Sequence, residues 1–325
     1  MTYVLLLVGL VLLIAGGELL VRGAVRFAEH FGLSPMIIGL TIVGMGTSMP
    51  ELAASIQAAL AGAPGIAIGN IVGSNIANLL LILGIAVLLS PFLVPRGVLW
   101  RDGGVGLACA ALLLVVGYSS GLTRWVGIAF VAGMLAYIFH AYRQERLGGD
   151  HSVAFDKAMA LEGVDPGLAP AADRAGSLIV PGLLFLAGMV LIVGGGSLVV
   201  DAAIEIASQL GVSDEVIGLT VVAVGTSLPE LVTSAIAAMK RQGEIALGNV
   251  LGSNIYNILF IGGMTGIVAP TQIPAVIAQF DLPILLVVSA FVMVFANTGR
   301  QLSRIEGGLL VFLYVAYTAF TADLI

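Results

Sequence analysis

A glutamate preceded by a threonine, a serine and a proline stands inside an apolar run at Gly46-Thr47-Ser48-Met49-Pro50-Glu51, and the same arrangement returns at Gly225-Thr226-Ser227-Leu228-Pro229-Glu230, 179 residues on. A charge at the centre of a membrane helix costs roughly 2.5–3.5 kcal/mol on insertion scales, and such residues mark ion or substrate pathways. Thr47 and Ser48 lie four and three residues before Glu51, which on a helix sets both hydroxyls on the face of the carboxylate. Thr226 and Ser227 stand in the same relation to Glu230. Pro50 has no N–H for the carbonyl of Gly46, and its ring crowds that carbonyl, so the helix kinks or breaks there. In lipid a freed carbonyl persists only where it lines a cavity or meets a partner, so it becomes available to a cation. Pro229 does the same in the second copy.

The next apolar run in each copy opens Gly-Asn and continues Gly-Ser-Asn-Ile, offering Ser74 with Asn78 and Ser253 with Asn257 at helical i, i+4 spacing. Gly73 and Gly252 permit close helix approach, so two oxygen-rich surfaces can meet. The donor set is carboxylate, hydroxyl, amide carbonyl and main-chain carbonyl, without sulfur or imidazole, which suits hard cations such as Ca2+ and Na+. His30, His140 and His151 fall at run ends or in a loop, and the lone Cys109 excludes an intramolecular disulfide. Gly39, Thr41, Gly218 and Thr220 read as packing positions. Ser55 and Ser234, one turn past the glutamates, stand evenly between packing and ligation. Asn75 and Asn254 point away from the Ser and Asn pairs and read as braces of a broken helix. Glu18, whose counterpart is Ser197, reads as the partner of Arg22 at i+4.

The elements that must position these groups are membrane helices. Hydrophobic residues make up 59% of the chain and charged residues 10%, and the mean hydropathy is +1.11, which describes an all-α integral membrane protein. Ten apolar runs recur, at about 3–21, 35–61, 66–90, 104–118, 124–142, 177–200, 213–239, 244–269, 283–297 and 305–322, the fourth and ninth being short. The first lacks a basic leader and ends with Glu18 and Arg22, so it reads as a retained span. Numbered alternately, the connections place all thirteen Lys and Arg residues except Arg124 on one side. That side is then cytoplasmic, both termini lie outside, and the cell (inner) membrane is the expected location. The lipid bilayer is the expected partner. A net charge of −6 and the lack of a basic patch speak against nucleic acid, and no protein partner or cofactor is indicated.

Residues 16–84 match 195–263 at 34 of 69 positions without a gap. Each half holds five spans, and an odd number makes the second copy enter from the opposite side, giving ten helices as two inverted-topology repeats. The expected layout is a first five-helix repeat at 1–142, a cytoplasmic linker at 143–176 and the inverted repeat at 177–325. The linker holds ten of the 32 Asp, Glu, Lys and Arg residues and has no Asp-rich calcium loop.

On these residues the chain resembles the cation/calcium antiporters, and within them the sodium/calcium exchangers of the bacterial and archaeal type. Gly46–Glu51 with Gly69–Asn78, and Gly225–Glu230 with Gly248–Asn257, are similar to that family's two alpha repeats. The likeness covers the second, third, seventh and eighth spans directly, and the five-plus-five layout agrees over the whole chain. It implies a site where Glu51 and Glu230 bind Ca2+ or Na+ alternately, helped by Thr47, Ser48, Ser74 and Asn78 and by Thr226, Ser227, Ser253 and Asn257. Main-chain carbonyls around Gly44 and Ala223 would join them. It also implies that the first and sixth spans slide as a gate, which fits their Gly16-Gly17 and Gly194-Gly195-Gly196 tracts. Potassium-dependent members carry an acid at the place of Asn257, and many prokaryotic members carry one acid among the places of Asn78 and Asn257. Both are amides here, so the resemblance suggests independence from K+ and specifies the calcium site more closely than the coupling to Na+.

The expected activity is Na+/Ca2+ antiport by alternating access, with Ca2+/H+ antiport as the alternative, because buried glutamates also bind protons. A channel is disfavoured by the single-chain inverted repeat. An intramembrane hydrolase is disfavoured because no histidine, lysine or aspartate dyad accompanies Ser48 or Ser227, and no enzyme is expected.

Overall fold

The computed structural model describes residues 2–31, 43–94, 99–147, 178–209, 223–299 and 301–324. Gly39, Thr41, Gly218 and Thr220 and most of the linker lie outside the described residues. Seven of the described helical stretches are long and apolar enough to cross a bilayer. Among the described residues the regular structure is helical apart from two short strands.

Each proline motif breaks its helix where the residue types require. A four-residue helix, α2 (Gly44–Thr47), stops at Ser48, and α3 (Met49–Leu60) starts again with Pro50 in its first turn, where the missing N–H costs nothing. Ser48 (φ −87, ψ 11) is the joint: its N–H donates back to Gly44 O at 3.1 Å and its carbonyl accepts from Leu52 N at 3.2 Å. After α3 comes α4 (Pro64–Ala77), then a π-helical turn at Asn78–Ile82 and α5 (Leu83–Leu89). In the second half α9 (Ala223–Thr226) stops at Ser227, and α10 (Leu228–Met239), α11 (Gly243–Tyr256), a π-turn at Asn257–Ile261 and α12 (Gly262–Val268) follow. The tight turns after α3 and α10 both need a left-handed residue, Gly62 (φ 73) and Arg241 (φ 58).

Around this centre stand α6 (Gly104–Ser119) and α7 (Arg124–Leu147), and α13 (Leu282–Gly299) and α14 (Arg304–Leu324). The fourth and ninth runs are longer than the sequence indicates, because π-turns at Leu99–Gly103 and Ile277–Asp281 continue them past charged residues. Those charges are matched within the protein: Asp102, fully buried, accepts from Arg101 at 2.7 and 2.8 Å and from the Tyr137 hydroxyl at 2.9 Å, and Asp281 accepts from the Tyr317 hydroxyl at 2.7 Å. Strands β1 (Phe92–Leu93) and β2 (Gln301–Leu302) pair antiparallel, Phe92 with Leu302, and a bridge joins Leu122 to Thr271. The main core runs from Ile68, Ile76 and Leu83 through Leu113 and Phe130 to Ile255, Ile261 and Leu285.

The remaining pair, α1 (Thr2–Phe31) and α8 (Ile179–Gln209), lies against itself along a seam of small residues. A Cβ on Gly16 would lie 2.8 Å from the Gly188 carbonyl oxygen, one on Gly9 2.9 Å from that of Gly195, and one on Gly23 2.7 Å from Phe185 N. Such contacts hold two antiparallel backbones together where only glycine fits. Leu7, Val11 and Ile14 of α1 and Leu183 and Val190 of α8 point outward, as befits helices in lipid.

Candidate functional site

Glu51 and Glu230 each sit in the first turn of a restarted helix, 1% exposed. Each carboxylate reaches the serine at the opposite break. Ser48 Oγ donates to Glu230 Oε1 at 2.8 Å, and Ser227 Oγ donates to Glu51 Oε1 at 3.3 Å. The second oxygens, Glu51 Oε2 and Glu230 Oε2, are buried and have no donor. Among the described residues neither glutamate makes an ion pair. A buried carboxylate without a cation carries a penalty of several kcal/mol, so the geometry favours uptake of positive charge between them.

A second set of bonds repeats the same reciprocity. Thr47 Oγ1 donates to Asn249 Oδ1 at 3.2 Å, and Thr226 Oγ1 to Asn70 Oδ1 at 3.3 Å. Asn70 Nδ2 donates to the Glu51 main-chain oxygen at 3.1 Å and to Ser55 Oγ at 2.9 Å, while Asn249 Nδ2 donates to the Glu230 main-chain oxygen at 3.3 Å and to Ser234 Oγ at 2.9 Å. Each asparagine thus ties its own glutamate's helix to the opposite threonine. Asn70 and Asn249 have no role in the sequence reading. The signals for them are that Gly69-Asn70 and Gly248-Asn249 match in the self-alignment and open the two stretches that resemble the alpha repeats. Ser55 and Ser234, evenly placed between packing and ligation, accept from these amides, which favours bracing.

The remaining residues group as follows. Ser74 Oγ lies within hydrogen-bond distance of Ser227 Oγ, at 3.3 Å, and Ser253 Oγ is buried without a partner. Asn78 Oδ1 and Asn257 Oδ1 are buried acceptors lacking a donor, each in the first position of a π-turn. The π-turns had no sequence signal of their own, and they are frequent where a helix carries function. Gly44 O accepts the Ser48 N–H at 3.1 Å, and the Thr47 hydroxyl, with one proton to give, lies 3.3 Å from it and 3.2 Å from Asn249 Oδ1. Ala223 opens the short helix before Ser227. Asn75 and Asn254 act as braces: Asn75 Nδ2 donates to Ile71 O at 2.6 Å and Asn254 Nδ2 to Asn75 O at 3.3 Å. Glu18 pairs with Arg22 as its spacing predicts, and also with Lys240 Nζ at 2.5 Å, a partner 222 residues away that spacing does not reveal.

The groups brought together are therefore oxygens, most of them acceptors. Among the described residues no three His, Cys, Asp or Glu side chains gather as a resident metal site would require. The family model described as sodium/calcium exchanger protein matches residues 1–143 and 180–322. The chain belongs to the sodium/calcium exchanger family. It is accordingly a membrane transport protein of the antiporter type and not an enzyme. Within the sodium/calcium exchangers it is 37% identical over 348 residues to the sodium/calcium exchanger MaX1 of Methanosarcina acetivorans, spanning 97% of each chain. The inner membrane protein YrbG of Escherichia coli is 34% identical over 322 residues, 96% of each chain. The solved structure of the sodium-calcium exchanger NCX_Mj soaked with zero Na+ and Ca2+ is similar at a TM-score of 0.83 and 31% identity, covering 98% of both chains.

Proposed function

We propose that this exchanger moves Na+ and Ca2+ in opposite directions by alternating access, with the ions held in turn between Glu51 and Glu230. The observation that carries the reading is the pair of buried carboxylates, each bonded to the opposite serine, each with an oxygen lacking a donor, and with no cationic side chain paired to either. Thr47, Ser48, Ser74 and Asn78 with Thr226, Ser227, Ser253 and Asn257 complete an all-oxygen shell, and the carbonyls of Gly44 and Ala223 join when the threonines turn. One Ca2+ neutralises the two carboxylates, whereas three Na+ leave the site one charge positive, so that stoichiometry carries net charge across the membrane. MaX1 bears the name sodium/calcium exchanger, which supports the same pair of ions here.

Bonds that repeat reciprocally under the 179-residue offset, Thr47 to Asn249 with Thr226 to Asn70 and Ser48 to Glu230 with Ser227 to Glu51, support ten spans arranged as two inverted repeats, 1–142 and 177–325, about the linker at 143–176. Both termini then face outward from the cell membrane, as the Lys and Arg distribution requires. The self-packed pair α1 and α8 is the moving part: Gly46, two residues before the joint Ser48, lies under α8, where an added Cβ would meet Met189 Cε at 2.5 Å. Sliding of that pair would uncover the site to one side at a time.

The test is uptake of radiolabelled Ca2+ into vesicles loaded with Na+, with Na+, H+ and K+ gradients varied independently. Uptake driven by an outward Na+ gradient and indifferent to K+ is expected. Uptake that ignores Na+ and follows a pH gradient overturns the assignment in favour of Ca2+/H+ exchange.

A further inference from the structure

An amide ligand has a difficulty that a carboxylate lacks, because only its oxygen end attracts a cation and its NH2 end repels one. Asn78 and Asn257 are both such groups. For Asn78 the orientation is set by a relay that starts on the main chain. The Asn75 carbonyl lies where α4 passes into its π-turn and accepts the backbone N–H of Asn78. A carbonyl can only accept, so Asn254 turns Nδ2 toward it, at 3.3 Å. Asn254 Oδ1 consequently faces the other way and accepts from Asn78 Nδ2 at 3.0 Å. With its NH2 held there, Asn78 leaves Oδ1 buried and without a donor. Donor and acceptor chemistry therefore fixes both amides from a single backbone atom.

We infer that Asn254, in the second repeat, is a positioning residue that keeps the amide oxygen of Asn78, in the first, turned to the transported cation. The inference rests on the reading of Asn78 as an ion ligand given above. Asn254 acts only through Asn78. The relay is one-sided: Asn75, the counterpart of Asn254, gives its Nδ2 to Ile71 O at 2.6 Å within its own helix, and its Oδ1 accepts no bond. Asn257 thus has no equivalent clamp from Asn75, and the two repeats present their amides to the ion on different terms.

The experiment is the Ca2+ concentration for half-maximal uptake by purified chain in vesicles, measured for Asn254→Ala, Asn254→Leu, Asn78→Asp and the double variant Asn78→Asp with Asn254→Ala. Asn254→Ala is expected to raise that concentration roughly tenfold, the order expected for one lost interaction with a charged group. Asn254→Leu, which fills the same volume, is expected to match it. In the Asn78→Asp background, Asn254→Ala is expected to change half-saturation by no more than about twofold, because a carboxylate has two equivalent oxygens and needs no orienting. A merely structural Asn254 would lower uptake equally in both backgrounds, and that result, or an Asn254→Ala variant with unchanged half-saturation, overturns the inference. Absence of Ca2+ uptake by the unsubstituted chain would instead overturn the functional reading beneath it.

Discussion

At the scale of single residues, the proposed chemistry rests on two buried carboxylates that no cationic side chain among the described residues pairs with. Replacing either glutamate by glutamine keeps shape and removes one charge, which weakens a divalent ion twice as much in Coulomb energy as a monovalent one. Glu51→Gln and Glu230→Gln are each expected to bring vesicle Ca2+ uptake down to background, and full uptake by either would remove the glutamates from the site. Asn70 and Asn249 carry a different load, since each donates to a main-chain oxygen and a serine and accepts from the opposite threonine. Asn70→Ala or Asn249→Ala is expected to cost about 1–3 kcal/mol of stability through the acceptors and donor left buried. A lowered melting temperature in detergent checks this, and an unchanged one contradicts it. The glutamates, hydroxyls and Asn78 were legible in the sequence because duplication separates them from ordinary packing residues. Asn70 and Asn249 were not, because their threonine partners are set by how the two halves meet, which no local spacing encodes.

At the scale of elements, the proline breaks were legible because proline's missing N–H dictates them, and the joints fall at Ser48 and Ser227, two residues before each proline. The π-turns at Asn78 and Asn257 were not legible, since a one-residue change of register leaves composition unaltered. The apolar runs at 104–118 and 283–297 are short because Arg101, Asp102 and Asp281 interrupt the apolar pattern, whereas ionic and hydroxyl partners let the helix continue past them. The seam between α1 and α8 makes a separable prediction. With Cys109 replaced, a short thiol crosslink between Leu13→Cys and Gly196→Cys, where an added Cβ at 196 meets only Leu13 Cδ2 at 3.9 Å, joins two helices that move together and is expected to leave Ca2+ flux intact. A disulfide between Gly17→Cys and Ile236→Cys joins α1 to α10, whose side chains lie against Gly17, and is expected to stop it. Equal flux in the two crosslinked forms, with crosslinking verified by mass, would count against a moving α1 and α8 pair.

At the scale of the whole molecule, composition already described an all-helical membrane protein, and the comparison with NCX_Mj covers nearly the entire chain. What the sequence left open was how closely the halves interlock, which appears only in bonds such as Ser48 to Glu230 that cross between them. Exchange of three Na+ for one Ca2+ moves one net charge, worth roughly 2.3 kcal/mol per 100 mV. Clamping vesicles at two potentials with a K+ ionophore is therefore expected to shift the steady-state Ca2+ gradient by roughly fiftyfold per 100 mV. A gradient insensitive to potential would mean electroneutral exchange. The pairing of Glu51 with Glu230 around one ion is tested by anomalous diffraction from crystals of the protein soaked in Ca2+ without Na+. A single peak between the two carboxylates, at about 2.3–2.6 Å from oxygens of both, is expected. A peak bound by only one of them, or no peak there in protein that transports Ca2+, would contradict it.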